Sequence, residues 1–167
     1  EVQQPRILKS EIGRDFGFAF YTTDIQAQAE RWTRRRAMIE SRRTKKEVLP
    51  IVSVYEWDED AAKQLRFLQF DGASMDWLEL VVTCRSQTDY SHGYDIVEGK
   101  IANDNVGETV SYVMQGIMRK EDAIERLWFE QINNQIAFCT EDALHTLHFQ
   151  NSYILRECEP MNHSTTR

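Results

Sequence analysis

Three charged residues stand inside segments that are otherwise apolar or regularly patterned: Arg85, Asp95 and Asp104. A guanidinium can bind phosphate groups and a carboxylate can stabilise positive charge, so each of the three could serve a ligand. A structural explanation is the alternative. Arg85 ends a helix predicted from Ser74, where a cation is favourable, and the two aspartates could close turns.

Histidines and cysteines offer weaker chemistry. His145 and His148 are three residues apart, a spacing that could hold a metal, but no Asp, Glu or Cys ligand follows at a matching offset. Nothing local in the sequence supplies Cys84 or Cys139 with a histidine partner or an activating environment, so both are predicted to be core cysteines. Glycine-rich dinucleotide and phosphate loops, HExxH and GxSxG are absent from the sequence.

Charge is distributed unevenly along the chain. Its 20 Lys and Arg and 27 Asp and Glu give a net charge of −7. Eight basic residues fall between positions 31 and 46, with only Glu40 opposing them: Arg31, Arg34, Arg35, Arg36, Arg42, Arg43, Lys45 and Lys46. This basic stretch therefore carries +7 and the rest of the chain −14. It is interpreted as a solvated helix face, a docking face for an acidic partner, or a nucleic-acid contact.

Hydrophobic periodicity predicts a single alternation of short strands and helices. Strands are expected over 16–22, 51–57, 65–70, 94–102, 134–140 and 148–156. Helices are expected after Thr23, after Ser74, and over 106–117, 123–128 and 141–147. The first helix carries one apolar stripe, formed by Ile25, Ala29, Trp32 and Ile39, and Arg36 falls on that stripe too. The helix after Ser74 is apolar almost all round, which predicts burial.

Strands interrupted by helices of unequal length favour an α+β fold over a regular parallel βαβ repeat. The length suits one domain, placed at 1–156, with a polar tail over 157–167. The sequence has no apolar run of membrane-spanning length and no signal-peptide pattern, and its three cysteines form no CxxC pair. We therefore expect a cytoplasmic protein without a membrane partner or a bound metal.

One segment is more specific than these patterns. Residues 14–24, RDFGFAFYTTD, followed by QAQAERW over 26–32, resemble a signature of the ADP-ribosyltransferase superfamily, in which a Gly-x-Gly-aromatic-Tyr strand leads into a helix with small residues and an aromatic. A tyrosine at a strand end can stack on a flat ring, and small neighbours allow a ligand to approach the backbone. The alternative is that Phe16, Phe18 and Phe20 face one side of a sheet and Tyr21 belongs to the core.

Other segments extend the resemblance to one bacterial branch of that superfamily, catalogued as a domain of unknown function and often encoded beside small partner proteins. They are DWLELV over 76–81 with Arg85, YDIVEG over 94–99 with AND over 102–104, and NQIAFCTE over 134–141. Together they cover nearly the whole chain from Pro5 to Leu155. The resemblance implies an ADP-ribosyltransferase-like split β-sandwich with flanking helices.

The resemblance also implies roles for individual residues, with NAD bound as a substrate. Tyr21 would stack on nicotinamide, Gln135 would bind the ribose, and Asp95 would supply a carboxylate that Gln135 lacks. The remaining cofactor-binding residues would be Arg14, Phe16, Gly17, Phe18, Arg85 and Asp104.

Two departures from the superfamily pattern bear on activity. Its first motif, a strand with a His or Arg that holds the adenosine ribose, should lie just before Glu1, and no residue of this sequence matches it. Its catalytic Glu is replaced by Gln135. Glutamine can hydrogen-bond the ribose but has no charge to stabilise an oxocarbenium-like transition state. The branch itself carries Gln there, so modified or reduced transferase chemistry is predicted, not its loss.

Three functions are therefore expected in competition. The leading one is an NAD-dependent ADP-ribosyltransferase-like toxin that cleaves the nicotinamide glycosidic bond and modifies an unknown protein, nucleic acid or small molecule, paired with a small antitoxin-like protein. The second is a catalytically degraded module that binds protein through the basic stretch. The third, nucleic-acid binding without catalysis, is disfavoured because the −14 remainder repels phosphates.

Overall fold

A computed structural model describes residues 1–9, 13–87, 89–101, 104–127 and 133–156. Within those ranges the strands are β1 (Phe20–Thr22), β2 (Ile51–Trp57), β3 (Phe67–Gln69), β4 (Ile96–Ile101), β5 (Asn133–Phe138) and β6 (Leu147–Ile154). The helices are α1 (Gln26–Thr44), α2 (Glu59–Ala62), α3 (Met75–Ser86), α4 (Asp104–Met114), α5 (Lys120–Leu127) and α6 (Glu141–Leu144). Each predicted strand and helix is present, with shifted ends. The predicted polar tail from Glu157 and the predicted end of the fourth helix at Trp128 lie outside the described residues.

The strands form two sheets, which confirms the α+β class. A four-stranded sheet has the order β1-β5-β4-β3, with β3 parallel to β4 and the other pairs antiparallel. β2 and β6 form a separate antiparallel pair, with a register shift between Val54 and Tyr55. Among the described residues, no helix combines the length and apolarity that a membrane crossing requires.

The two faces of the four-stranded sheet are covered differently. Val97 and Ala137 point to one face and pack with Trp77 of α3, Val110 of α4 and Ala123 of α5. Alternate residues point to the other face, because successive strand side chains project to opposite sides. On that second face Phe138 meets the ring of Trp57 from β2 at 5.8 Å, edge to face. The sheet is thus a middle layer between helices and the β2–β6 pair.

Helix α3 follows its sequence closely. The Ser74 hydroxyl accepts a hydrogen bond from the Trp77 amide at 3.1 Å, which is an N-cap. Trp77, Leu78 and Val81 are completely buried, as an apolar circumference predicts.

Helix α1 departs from expectation, because the side chains of its apolar stripe are not in the core. Trp32 is 52% exposed and Ile39 is 43% exposed, and Ala37 is the buried residue of this helix. The contacts of α1 with the sheets are largely polar. The Thr33 hydroxyl donates to the Ile51 carbonyl at 2.9 Å, and the Tyr153 hydroxyl donates to Glu30 at 3.1 Å.

The first strand is shorter than predicted. Residues before Ala19 form a tight turn instead of extending β1, because Gly17 has a φ of 75°, a left-handed conformation that reverses the chain. Phe16 is fully buried among the helices, whereas Phe20 packs on the opposite face of the sheet. Phe16, Phe18 and Phe20 therefore do not form one strand face.

Candidate active site

The turn before β1 is the centre of the candidate site. Its backbone closes with a hydrogen bond from the Gly17 amide to the Arg14 carbonyl at 3.3 Å. Phe16 has no exposed surface, and its ring stacks on Phe70 with centroids 6.5 Å apart. Phe18, one residue beyond Gly17, is half-buried. The turn is thus anchored in the core by one aromatic ring.

Tyr21 is fastened back onto this turn. Its hydroxyl donates to the Gly17 carbonyl at 2.6 Å and accepts from the Phe16 amide at 3.2 Å. The Arg14 guanidinium lies over the ring, 5.6 Å from its centroid. Burial raises the pKa of the Tyr21 hydroxyl above its ordinary value. The side chain is therefore a neutral aromatic ring held at its hydroxyl by two backbone groups. That hydroxyl does not act as a general base.

Gln135 lies on the same face of the sheet as Tyr21. In the strand register Tyr21 is opposite Ala137, and Gln135 is two residues further along β5. Gln135 is itself opposite Gly99 of β4. Among the residues that the structure describes, none hydrogen-bonds the side-chain amide of Gln135, which is half-buried.

Gly99 allows these groups to come together. A methyl group at this position would lie 3.2 Å from Phe16 Cζ and 3.3 Å from Phe70 Cδ2, closer than packed carbons ordinarily approach. We call Phe16, Tyr21, Gly99 and Gln135 the platform face. The structure brings together three of the predicted site residues here, from separate parts of the chain.

Arg85 and Asp15 hold the turn against α3. The Arg85 Nε lies 2.7 Å from Asp15 Oδ1, and Nη2 also contacts that oxygen. Both side chains are largely buried, so water competes little for the two charged groups of this ion pair. Arg85 is thus engaged by an internal carboxylate directly beside Phe16. Arg85, predicted to cap α3 or contact a diphosphate, lies in the last turn of α3 and ties that helix end to the turn before β1.

Asp95 lies immediately before the first residue of β4, four positions before Gly99. Its two carboxylate oxygens accept from Arg66 Nε and Nη2, each at 2.9 Å, and Oδ2 also accepts from the Arg66 amide at 3.0 Å. The Arg66 side chain lowers the pKa of Asp95 to about 2. Four strand positions separate Asp95 from Gly99, about 13 Å along an extended chain. The structure therefore does not bring Asp95 and Gln135 together.

Sequence reasoning missed the residues that position Gln135. Gln28 of α1 acts as an extra strand partner: its amide nitrogen donates to the Asn134 carbonyl at 2.7 Å and its oxygen accepts from the Asn134 amide at 3.1 Å. The Asn134 side chain donates to Asp24 at 3.0 Å and to Glu98 at 2.9 Å. In the sequence, the one indication of this hydrogen bonding is a polar residue between Ala27 and Ala29. That pattern does not identify Asn134 as its partner.

His92 was also missed, although it contacts the same turn. Its Nε2 lies 3.1 Å from the Phe16 carbonyl oxygen, and its Nδ1 accepts from the Tyr94 amide at 3.1 Å. Because Nδ1 accepts, the proton of the neutral ring is on Nε2 and is donated to Phe16. Burial lowers the pKa of His92 below its ordinary value. The neutral imidazole therefore joins the loop before β4 to the platform face.

The cysteines are not activated by this histidine. The Cys139 sulfur lies 3.8 Å from His92 Nε2, but burial raises the pKa of Cys139 to about 12. Burial also raises the pKa of Cys84 to about 12. Both remain thiols at neutral pH, so neither is a ready nucleophile.

Other possible sites in the described residues are weaker. Asp104 is the first residue of α4, and its side chain lies outside the description. No group of three or more His, Cys, Asp or Glu among the described residues has metal-site geometry. One surface depression is lined by acidic residues of the β2–α2 junction, including Glu56 and Asp60, and another by Ser86 and Tyr90. Neither is lined by Tyr21 or Gln135.

Residues 1–149 match a protein family described as "Protein of unknown function (DUF3990)". The chain belongs to this family. Among curated proteins and solved structures, none matches the chain. The family description states no activity.

Proposed function

We propose that the chain is an ADP-ribosyltransferase-like toxin that binds NAD at the platform face and transfers ADP-ribose to an acceptor. Its two sheets would then be the two halves of an ADP-ribosyltransferase-like split β-sandwich. One observation carries the proposal: Phe16 and Tyr21 share one sheet face around Gly99 with Gln135, which lies more than 100 residues further along the sequence. These are the residues that the superfamily resemblance assigns to the NAD site.

Tyr21 would provide the stacking surface for nicotinamide. A ring held at its hydroxyl by two backbone groups has little freedom to lose when a ligand stacks on it. The Arg14 guanidinium beside the ring would face the negative charge of the NAD diphosphate. Arg85 would contribute to NAD binding by holding the turn. Asp104 would contribute to it from the start of α4.

Gln135 would hydrogen-bond the ribose next to the reacting carbon. In the reaction the bond from ribose C1 to nicotinamide nitrogen breaks and the electron pair leaves with nicotinamide. The acceptor then forms the new bond to C1 and loses its proton. Gln135 cannot neutralise the positive charge that develops on the ribose, and Asp95 is paired with Arg66 about 13 Å away. A slow reaction is therefore expected.

Binding of NAD tests the aromatic surface. Tyr21→Ala should weaken NAD binding by about 1–2 kcal/mol, the usual scale of an aromatic stack with its buried area. Tyr90→Ala is the matched control, because Tyr90 is 39% exposed and outside the platform face. Isothermal titration calorimetry measures both, with circular dichroism as the check of folding. Equal NAD affinity in folded Tyr21→Ala and wild-type protein would mean that Tyr21 is a core residue and does not stack on NAD.

Nicotinamide release from labelled NAD tests the reaction. Gln135→Glu should raise the rate, because a carboxylate supplies the charge that the amide lacks. Gln115→Glu, an exposed substitution in the turn just after α4, has the same change in net charge and should have no effect. A folded Gln135→Glu variant that releases no nicotinamide would show that the amide is required or that position 135 is not the catalytic one.

The second candidate is a catalytically degraded module that binds protein. Glutamine at position 135 favours it, because this side chain cannot provide the superfamily's carboxylate. It predicts no nicotinamide release by the wild type, together with full binding of a protein partner. Release by the wild type excludes this candidate.

A further inference from the structure

The solvent side of α1 combines apolar and basic side chains in one pattern. Trp32 and Ile39 are 52% and 43% exposed, and Met38 is 49% exposed. With 3.6 residues per turn, positions i, i+3, i+7 and i+10 fall on one side of a helix. We call these positions and Met38 beside them the outward stripe: Trp32, Arg35, Met38, Ile39 and Arg42.

The opposite side of α1 is already occupied. Thr33 bonds to β2, Glu30 bonds to Tyr153 of β6, and Ala37 is buried. The orientation of the helix is therefore fixed by contacts that leave the large apolar side chains in water. Exposing the Trp, Met and Ile side chains together to water has a free-energy cost. A helix face that stays uncovered in the functional protein gives no explanation for this cost.

The charge around the outward stripe is strongly positive. All eight basic residues of the 31–46 stretch are exposed. Glu40, its one acidic residue, is engaged within the helix by Arg43 at 2.6 Å and by Arg36 at 3.9 Å. The exposed positive charge of this surface favours a partner that carries negative charge.

The apolar residues distinguish between the possible partners. A phosphate backbone is bound by Arg and Lys and gains little from Met38 or Ile39. The −14 carried by the rest of the chain also repels a long polyanion. An acidic amphipathic helix matches both properties, since its apolar side covers the stripe and its Asp and Glu meet the arginines. From Trp32 to Arg42 the stripe covers ten helical steps, or about 15 Å, which is roughly three turns of such a helix.

We propose that the outward stripe is the docking site for an acidic amphipathic helix of another protein, anchored by Trp32 and Ile39 and oriented by Arg35 and Arg42. This proposal does not depend on NAD chemistry. It assigns binding energy to apolar contacts and association rate to the charges, because exposed charges steer encounters more than they hold complexes together.

The probe is a synthetic three-heptad peptide with Leu at its a and d positions and Glu at its e and g positions, which carries an acidic amphipathic pattern and does not pair with itself. A peptide of the same composition with Leu and Glu permuted to remove the apolar side is the first control. A single-stranded oligouridylate is the second. Fluorescence anisotropy should show the patterned peptide binding at least about tenfold more tightly than either.

Substitutions separate the two contributions. Trp32→Ala with Ile39→Ala should weaken peptide binding by about tenfold or more through faster dissociation at every salt concentration. Arg35→Glu with Arg42→Glu should mainly slow association, with an effect that shrinks as salt rises. Ile117→Ala, at a residue 68% exposed, is the apolar control, and Arg156→Glu is the charge control.

Three outcomes would overturn the proposal. Equal binding of the permuted peptide would show that charge attraction alone accounts for peptide binding. Tighter binding of oligouridylate would make the stripe a nucleic-acid surface. A concentration-dependent dimer in light scattering that Trp32→Ala dissociates would mean that a second copy of this chain covers the stripe.

Discussion

Helices α1 and α3 carry similar tryptophans in opposite environments. Trp77 of α3 has no exposed surface, whereas Trp32 of α1 is 52% exposed. Both lie on helices with apolar residues at helical spacing, one stripe on α1 and almost the whole circumference on α3. What separates them is the covering layer: α3 packs on the sheet beside α4 and α5, while α1 meets the sheets through Gln28, Thr33 and Glu30. An apolar stripe thus shows which side of a helix can be buried, not that it is buried within the same chain.

The largest difference between the two helices should appear in their tryptophans. Trp77→Ala should lower the free energy of unfolding by about 3–5 kcal/mol, because it leaves a cavity in the core. Trp32→Ala should change it by no more than about 0.5 kcal/mol, as for an exposed side chain. Chemical denaturation followed by far-UV circular dichroism measures both. Comparable losses in the two variants would mean that Trp32 is covered in the isolated protein.

A second contrast is between a buried and an exposed ion pair. Arg85→Ala should lower the free energy of unfolding by about 3 kcal/mol, because Asp15 is left buried without its partner. Arg119 pairs with Asp122 at 2.9 Å but is 78% exposed, so Arg119→Ala should cost less than about 0.5 kcal/mol. Urea denaturation of the two variants makes the comparison. If Arg85→Ala were as stable as Arg119→Ala, the turn would not be held by α3.

The ends of the two helices give a smaller effect. Ser74→Ala should lower the free energy of unfolding by about 1 kcal/mol, because the hydroxyl accepts the Trp77 amide and alanine cannot. At the start of α1, Ile25 makes no side-chain cap, so Ile25→Val should change stability only through the loss of one methylene. Thermal denaturation of Ser74→Ala and Ser74→Thr is the check. Threonine retains the hydroxyl, and stability should be largely restored.

The smallest expected effect is a pH dependence on the α3 side of the sheet. The pKa of His92 is lowered in the folded protein, so protonation favours the unfolded chain. Stability contributed by neutral His92 is fully present above its ordinary pKa of about 6.5 and is lost as pH falls from there towards the lower folded pKa. Unfolding free energies at pH 7.5 and 5.5 should therefore differ less in His92→Gln than in the wild type. Identical differences would remove His92 from the pH response.

The site could be predicted in part. Tyr21 and Gln135 were expected together from the resemblance, and β1 and β5 place both on one sheet face. Asp95 was expected beside them and lies with Arg66 instead. Gln28 and His92 could not be predicted, since each acts through a backbone group 106 or 76 positions away that sequence patterns do not identify.

The sequence by itself determined the order and type of the elements other than the short helix α2, the burial of α3 and the concentration of positive charge in α1. These properties depend on local periodicity, capping and composition, which act within a few turns of chain. Only the tertiary structure decided that Arg85 pairs with Asp15, that Gly99 admits Phe16, and that the apolar stripe of α1 faces solvent. Such pairings depend on which segments become neighbours in the folded sheet, and a side chain's environment is set by that neighbour and not by its own segment.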